Sequence, residues 1–577
     1  MSYIIADNII SPAGFGTEAN CLAVERGESQ LRLYEDAFGL PEPFVASLFT
    51  AGQWERLAAD GLTRFESLAT ASAHAAIEAA AENYPGFDVT SDRVLFVLAS
   101  TKADVENLTA ADIAADTLFP GRAADGSGAA RIAALCGVTT KPICVCNACI
   151  SGLSALILAD RLLRAGTYDY AVVCGADLQG KFVVSGFQSL KAMSGSRCRP
   201  FDIERTGLNL GEAAATVVLS RERPDGNCCS IDAGSIRNDA WHISAPVRDG
   251  SGLAMAISDV MEGVGFRDIA FINAHGTATM FNDQMEAQAI GAVSLTDVPV
   301  NALKGVFGHT MGACGVLETI LSARLLRLGR VAPTEGFELI GVWPELKVSA
   351  ATRPTTGRTF LKLLSGFGGC NAALRCSLDS DGGQRPAKVQ IETTHRVVVT
   401  PQSVILDGKP VAASSTGQKL LTELYKTYVA DYPKFYKMDP LSRLGFMASE
   451  LLLQSEGNPR GENGDRRGTL LFNRSTSVVT DMKYLETIAG EDEFFPSPSL
   501  FVYTLPNIIT GEIAIRNGWH GETSFYILPE RDENVMEEIV EATASFSQID
   551  TMLTGWIDCP GTEDFIADLT LKNIIRL

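Results

Sequence analysis

Four side chains in the first two thirds of the chain are of types that together perform acyl chemistry. Cys149 lies in Val145-Cys-Asn-Ala-Cys-Ile-Ser-Gly152, where an apolar strand turns into a helix. His275 opens His275-Gly-Thr-Ala-Thr279 after a second apolar strand, and His309 closes Lys304-Gly-Val-Phe-Gly-His309. A cysteine attacks as its thiolate; a free thiol has a pKa near ~8.5, which a helix N-terminus or a nearby cation lowers. The tight turn allowed by Ser151-Gly152 puts Cys149 at such a terminus, where the dipole favours the anion by roughly 0.3–1 kcal/mol. Attack on a thioester would leave an acyl group on Cys149 and build an oxyanion that needs backbone N–H donors. The Gly-rich run Ser365-Gly-Phe-Gly-Gly-Cys-Asn371 can bring such a donor to the elbow. Two neutral imidazoles that donate hydrogen bonds would stabilise an enolate on a second thioester. The set is therefore one for carbon–carbon bond formation. Lys304 would support the field of the site and hold an acid such as Glu318, and Thr277 and Thr279 suit hydrogen bonding to the amides of a pantetheine arm.

Each residue also has a plainer reading. Most cysteines are small buried core residues. Lys304 also reads as an exposed lysine at a helix start, and the two threonines as turn stabilisers. His74, on an Ala-rich helix, reads as structural. Cys144, Cys146 and Cys149 have no second Cys-x-x-Cys pair or nearby histidine, and no third ligand motif accompanies His275 and His309, so no metal site is expected. The chain has six histidines. Those two alone sit in Gly/Thr-rich loops after apolar strands, where parallel α/β folds place their sites.

Such loops need a frame. Leu68–Ala80 is apolar on nearly all sides, as in a buried helix, and Arg93–Ala99 reads as a buried strand. Ser154–Arg164 is a helix with an apolar face, and Tyr170-Ala-Val-Val-Cys-Gly175 another buried strand. Strands at Ile269–Ile272 and Phe360–Leu364 and a helix at Gly315–Leu326 continue the alternation. This pattern predicts an α/β fold with a parallel sheet covered on both faces. Asp379-Ser-Asp-Gly-Gly-Gln-Arg-Pro386 is polar and turn-rich and reads as a linker. A further module follows it. Three of its segments match the first module in order: Pro440–Leu452 with Arg64–Ala76, Leu470–Thr476 with Leu95–Thr101, and Ile549–Asp558 with Asp169–Asp177. A divergent duplication accounts for this; two α/β segments sharing a pattern is the alternative. Asp177 lies 28 residues after Cys149, and the same step back from Asp558 reaches Glu530. The second copy thus has no nucleophile in the matching place, and nothing in it corresponds to His275, Lys304 or His309.

Bulk properties narrow the function. The net charge is −21 at pH 7, which excludes nucleic acid as a bulk electrostatic partner. The longest apolar runs fall far short of the ~20 residues of a membrane span. Met1–Asp7 reads as a first strand, not a signal peptide. An odd count of 13 cysteines without a disulfide framework points to a reducing cytoplasm.

Residues 1 to about 380 resemble β-ketoacyl-acyl-carrier-protein synthases of the elongating, Cys-His-His type. The resemblance rests on Ile9-Ile-Ser-Pro-Ala-Gly14, Asn147-Ala-Cys-Ile-Ser-Gly152, Arg199-Pro-Phe-Asp202, Gly207-Leu-Asn-Leu-Gly-Glu212, His275–Thr279 with Asn282, Asp283 and Glu286, Lys304–His309, and Gly366-Phe-Gly-Gly-Cys-Asn371. It implies a thiolase fold of duplicated α/β/α/β/α halves, residues 1–222 and 223–380. A linker at 381–389 and a degenerate third half at 390–577 would follow. It also implies that Cys149 takes an acyl chain from an acyl carrier protein, whose phosphopantetheine is the only cofactor expected and is not bound permanently. His275 and His309 would serve decarboxylation of a malonyl carrier, and Lys304, supported by Glu318, would order the site. The backbone N–H groups of Cys149 and Ser365 would form the oxyanion hole. Thr277, Thr279, Ser365 and Phe367 would contact substrate. The family usually has a phenylalanine where this chain has Ser365, which implies a wider or differently gated mouth. Ala278 stands for a usual glycine and Thr206 for a usual aspartate. The last module resembles the truncated, chain-length-factor-like partners found in aryl-polyene and flexirubin-type pathways. It would make the chain a dimer or an intrachain pseudo-dimer, covering an edge strand and helping to wall the acyl tunnel. A non-catalytic carrier-binding scaffold, or a chain-length-factor partner of another synthase, is the alternative.

Overall fold

The computed structural model of the chain describes residues 1–108, 125–226, 228–380, 382–457, 460–490 and 494–577. The frame is one long mixed sheet in which the same order of pairings occurs three times. The first set starts at Ser2–Ser11, which pairs antiparallel with Ala213–Ser220, itself antiparallel to Tyr170–Asp177. Val94–Ala99 and Ile143–Val145 follow in parallel. The second set runs from Cys229–Asn238 through Cys370–Leu378 and Thr359–Gly366, antiparallel, to Ile269–Asn273 and Pro299–Asn301, parallel. In the third set Val389–Val399, Ile566–Arg576 and Thr551–Asp558 are antiparallel in turn. Arg467–Asn473 and Thr523–Ile527 then add in parallel. Strands buried on both faces need unbroken apolar runs, which is why all six residues of Val94–Ala99 are apolar and buried.

Two antiparallel junctions join the sets. Ser2–Ser11 pairs with Cys229–Asn238, with Ser2 opposite Ile231. Thr523–Ile527 of the last module pairs with Ile143–Val145, with Tyr526 opposite Val145 and Ile527 opposite Cys144. The Cys146 N–H continues that junction to the Phe525 carbonyl at 3.1 Å. Left open, this edge would offer unpaired N–H and C=O groups to any other strand. Here the chain closes it with its own residues, just before Cys149.

Helices Ser151–Ala165 and Cys314–Arg327 form the layer between the first two sets, and their side chains share one core with both. Glycine lets them touch: a Cβ on Gly152 would lie 2.5 Å from the Gly312 carbonyl oxygen, and one on Gly315 2.3 Å from Leu153 N. Arg64–Asn83 covers the outer face of the first set, and Ser251–Val260 with Met280–Ala292 covers that of the second. This is the layered α/β thiolase fold. Helices run one turn or less beyond the segments read from the sequence, because polar caps extend them past the apolar stretch. Thr63 and Glu66 form a reciprocal capping box at the start of Arg64–Asn83.

The segments paired in the sequence occupy corresponding places in the first and third sets. Helix Pro440–Ser455, capped by Asp439, packs on its strands as Arg64–Asn83 does. Asp177 accepts from the Ser100 hydroxyl and the Thr101 N–H, and Asp558 accepts from the Ser475 hydroxyl and N–H. Residues 382–388 are irregular between strands; Asp381, the first residue of the expected linker, lies outside the described residues. Among the described residues no helix is long and apolar enough to cross a membrane, and no disulfide joins the cysteines.

Candidate active site

Cys149 occupies a short 3-10 turn, Ala148–Ile150, between strand Ile143–Val145 and helix Ser151–Ala165. The elbow is strained: Ala148 has φ +47, a left-handed conformation that a Cβ makes costly. Local hydrogen bonds hold it there. The Ser151 hydroxyl donates to the Ala148 carbonyl (2.6 Å) and accepts from the Asn147 N–H (2.8 Å). Asn147 Nδ2 reaches the Thr523 carbonyl of the last module at 3.0 Å. Cys149 is only 7 % exposed. Burial pushes its thiol up to about 11, against the opposing pull of Lys304 and of the backbone N–H groups of Phe367 and Cys149. The helix terminus expected to favour the thiolate is therefore outweighed by desolvation.

Both histidines meet the sulfur. The Cys149 Sγ and the nearest ring nitrogens of His275 and His309 all lie within 4.8 Å of one another. The rings stand edge to face, 5.1 Å between centroids. Glu286 sets the His275 loop by accepting from the N–H groups of His275 (2.6 Å) and Gly276 (2.7 Å). Asp283 does the same for Ala278 (3.1 Å) and Phe201 (2.7 Å). Ala278 takes φ +63, so alanine occupies a left-handed position usually left to glycine, and the Asp283 bond holds it there. The Met311 N–H donates to His309 Nδ1 at 3.2 Å. A neutral ring accepting there carries its proton on Nε2, and His309 Nε2 is buried without a partner among the described residues. His275 Nδ1 is likewise unpartnered. Burial, with Lys304 next in weight, holds both rings well below the usual histidine range, so both are neutral near pH 7. The trio is also a nitrogen and sulfur donor set of the kind that binds zinc. Among the described residues no further His, Cys, Asp or Glu joins the group.

Lys304 is 1 % exposed, not a surface residue at a helix start. Its Nζ donates to Glu318 Oε1 at 3.0 Å, as expected. The second carboxylate oxygen is taken by Lys362, at 2.5 Å, a residue the sequence reading missed. Lys362 Nζ also donates to the Ala274 carbonyl, next to His275, at 3.2 Å. The signal was present: Lys362 interrupts the apolar run Phe360–Leu364, and a buried charge there must be paired. Burial alone would lower Lys304, but Glu318 holds it above the usual lysine value. Burial, with Lys304 nearby, lowers Lys362. For Glu318 burial acts upward and is overcome by the two ammonium groups, leaving it below the usual range. Two lysines on one glutamate leave an excess positive charge beside the sulfur and the imidazoles.

A cavity of about 390 Å³ opens onto this cluster, with Cys149, His275, His309, Thr277, Thr279 and Phe367 among its walls. The Thr277 and Thr279 hydroxyls bond each other at 2.9 Å. A second, small enclosed cavity lies behind Cys149, lined by Val183, Phe187, Met311 and Lys102, and by Phe501 and Leu505 of the last module.

Ser365 departs from expectation. It lines the main cavity, but its hydroxyl donates to Asn371 Oδ1 at 2.7 Å. It is the last-but-one residue of strand Thr359–Gly366. The N–H facing the sulfur is that of Phe367, two residues on, past the strand end where the glycines let the backbone turn. A backbone donor of the kind an oxyanion needs thus faces the sulfur from Phe367 rather than from Ser365. The Phe367 ring stacks on Phe187 at 6.1 Å, and both residues line the two cavities on either side of Cys149.

A strand-to-helix cysteine facing two neutral imidazoles, on a duplicated five-strand scaffold, defines a thiolase-fold protein. The chain belongs to the β-ketoacyl synthase family. The family models for the β-ketoacyl synthase N-terminal and C-terminal domains match residues 43–224 and 228–338. Among curated relatives, 3-oxoacyl-[acyl-carrier-protein] synthase 2 of Mycobacterium leprae is 32% identical over 247 residues, 40% of this chain and 58% of that protein. The ketoacyl synthase alpha subunit of the tetracenomycin polyketide synthase of Streptomyces glaucescens is 32% identical over 252 residues, again 40% and 58%. The chain therefore spans somewhat over half the length of the curated relatives it matches. In fold, 65% of it superposes on 98% of a β-ketoacyl synthase from Burkholderia phymatum, TM-score 0.57 at 22% identity. The whole chain superposes on 78% of a structure titled PfaC keto synthase–chain length factor, TM-score 0.76 at 12% identity.

Proposed function

We propose that the chain catalyses decarboxylative Claisen condensation, elongating an acyl chain held on Cys149 with a malonyl unit delivered by an acyl carrier protein. The observation that carries this is the meeting of the Cys149 sulfur with the His275 and His309 nitrogens at the floor of the large cavity. In the first step the thiol adds to the acyl thioester; the carrier thiolate leaves and takes up the proton that Cys149 gives up. The Phe367 and Cys149 N–H groups face the sulfur and stabilise the tetrahedral oxyanion. In the second, the malonyl C–C bond breaks, CO₂ departs, and the electron pair moves onto the thioester oxygen as an enolate. The neutral rings donate hydrogen bonds to that oxygen, His309 through Nε2, and the excess charge of Lys304 and Lys362 favours it. The enolate carbon then attacks acyl-Cys149, the new C–C bond forms, and the sulfur leaves as thiolate and regains a proton. Thr277 and Thr279 hold the phosphopantetheine arm along the cavity.

The last module acts as a tethered pseudo-partner. It pairs with the strand before the nucleophile, supplies Phe501 and Leu505 to the cavity behind it, and offers Glu530 to a surface ion pair with Lys141 at 2.9 Å where a nucleophile would stand. The tether keeps it at high effective concentration. The buried thiols suit the reducing cytoplasm. The test is intact-mass spectrometry after incubation with acyl-loaded carrier proteins of several chain lengths. An acyl adduct that disappears in Cys149→Ala, and carbon dioxide release with a malonyl carrier, are expected. No adduct with any donor would overturn the reading in favour of a non-catalytic scaffold.

A further inference from the structure

Asn507, at the N-terminal end of helix Ile508–Asn517, is fully buried against the ketosynthase loop that carries Phe367. Its Nδ2 donates to the Phe367 carbonyl at 2.9 Å. On the other side of the same peptide, the Gly368 N–H donates to the Ile243 carbonyl at 2.7 Å. The loop needs such anchors: Gly366 precedes it, and Gly368 and Gly369 take φ +89 and +71, so its backbone is intrinsically soft. The approach is close. A Cβ on Gly368 would lie 2.7 Å from Asn507 Nδ2, and one on Gly511 would lie 2.6 Å from the Gly368 carbonyl oxygen. Cys370 Sγ is the other donor to the Phe367 carbonyl, at 3.3 Å, and a thiol is a weak one. Asn507 Oδ1, meanwhile, is buried without a partner among the described residues. Burying an unsatisfied acceptor is unfavourable, so this side chain is not explained by its own satisfaction; what it does is fix one carbonyl.

We propose that Asn507 is a positioning residue for acyl transfer: through the Phe367–Gly368 peptide, the module without a nucleophile sets the direction of an oxyanion-hole N–H in the module that has one. The proposal rests on the condensing function above. Fixing the Phe367 carbonyl fixes ψ of Phe367 and, with the strand end at Gly366, the direction of the preceding N–H toward Cys149. Misplacing such a donor by about an ångström costs up to ~100-fold in rate.

The test compares two reactions of Cys149 in the full-length chain, each followed by mass spectrometry. Acylation by a simple acyl thioester passes through an oxyanion. Alkylation by iodoacetamide displaces iodide and forms none. In Asn507→Leu, acylation is expected to fall about 10–100-fold while alkylation stays within about threefold of wild type. Equal loss of both rates, or acylation unchanged within about threefold, would overturn the proposal. If Asn507→Leu does not fold, Asn507→Ala carries the same comparison. Wild-type chain that alkylates but takes up no acyl group from any donor would instead sink the condensing reading itself.

Discussion

Arg161 and Glu522 connect the central helix of the ketosynthase region to the last module, and removing one of them tests whether the two are packed as one body. Arg161 Nη1 and Nη2 donate to Glu522 Oε1 and Oε2 at 2.8 and 2.9 Å, with side chains 3 % and 1 % exposed. At 2.8 Å and an effective dielectric of about 20, the gross attraction is about 6 kcal/mol. Desolvating two ions costs several kcal/mol each, so the net worth of the pair is near zero. Truncating one partner is different, because the other charge then stays buried and unpaired, at about 3–5 kcal/mol. Arg161→Met and Glu522→Leu should each lower the free energy of the first urea unfolding transition by that amount. The double variant should recover to within about 1–2 kcal/mol of wild type, a coupling of about 4 kcal/mol or more. Circular dichroism and tryptophan fluorescence in urea measure all four proteins. Single variants within about 1 kcal/mol of wild type, or additive losses, would refute the packing of the module against helix Ser151–Ala165.

Alkylation of Cys149 should quicken about tenfold per pH unit from pH 7 to 10 and level only near pH 11, because burial raises the thiol to about 11; a plateau near pH 8, read by peptide mass, would contradict this. The sign for stability follows. A folded pKa above the unfolded one gives stabilisation that is present below about pH 9 and lost as pH rises toward 11. His275 and His309 are both depressed, so the unfolded chain binds more protons just below pH 6.5 and stability falls as pH drops through that window. Their ring nitrogens should remain neutral at pH 6 by ¹⁵N NMR, and a protonated ring there would contradict the burial argument.

Much of the frame is legible along the chain because local periodicity reports it. The apolar run Val94–Ala99 becomes a fully buried strand and the Ala-rich segment around Leu68 a helix packed on it. Short motifs also mark the chemistry: a cysteine before Ser-Gly and two histidines in Gly-bearing loops depend on adjacent residues. Lys362 is legible as a charge inside an apolar strand, but that it shares Glu318 with Lys304, across separate elements, is not.

The sequence by itself singled out Cys149, His275, His309 and Lys304 as candidates and showed no cysteine at the matching place in the trailing module, since each depends on residue type and near neighbours. Tertiary structure alone decided that Phe367 and not Ser365 turns its N–H to the sulfur, because in a glycine-rich loop direction is set by backbone angles that many residues permit. It alone decided that Asn507, Thr523 and Glu522 reach the ketosynthase region. Those contacts join positions 140 to 376 residues apart, and no periodicity or local motif encodes a distance of that kind.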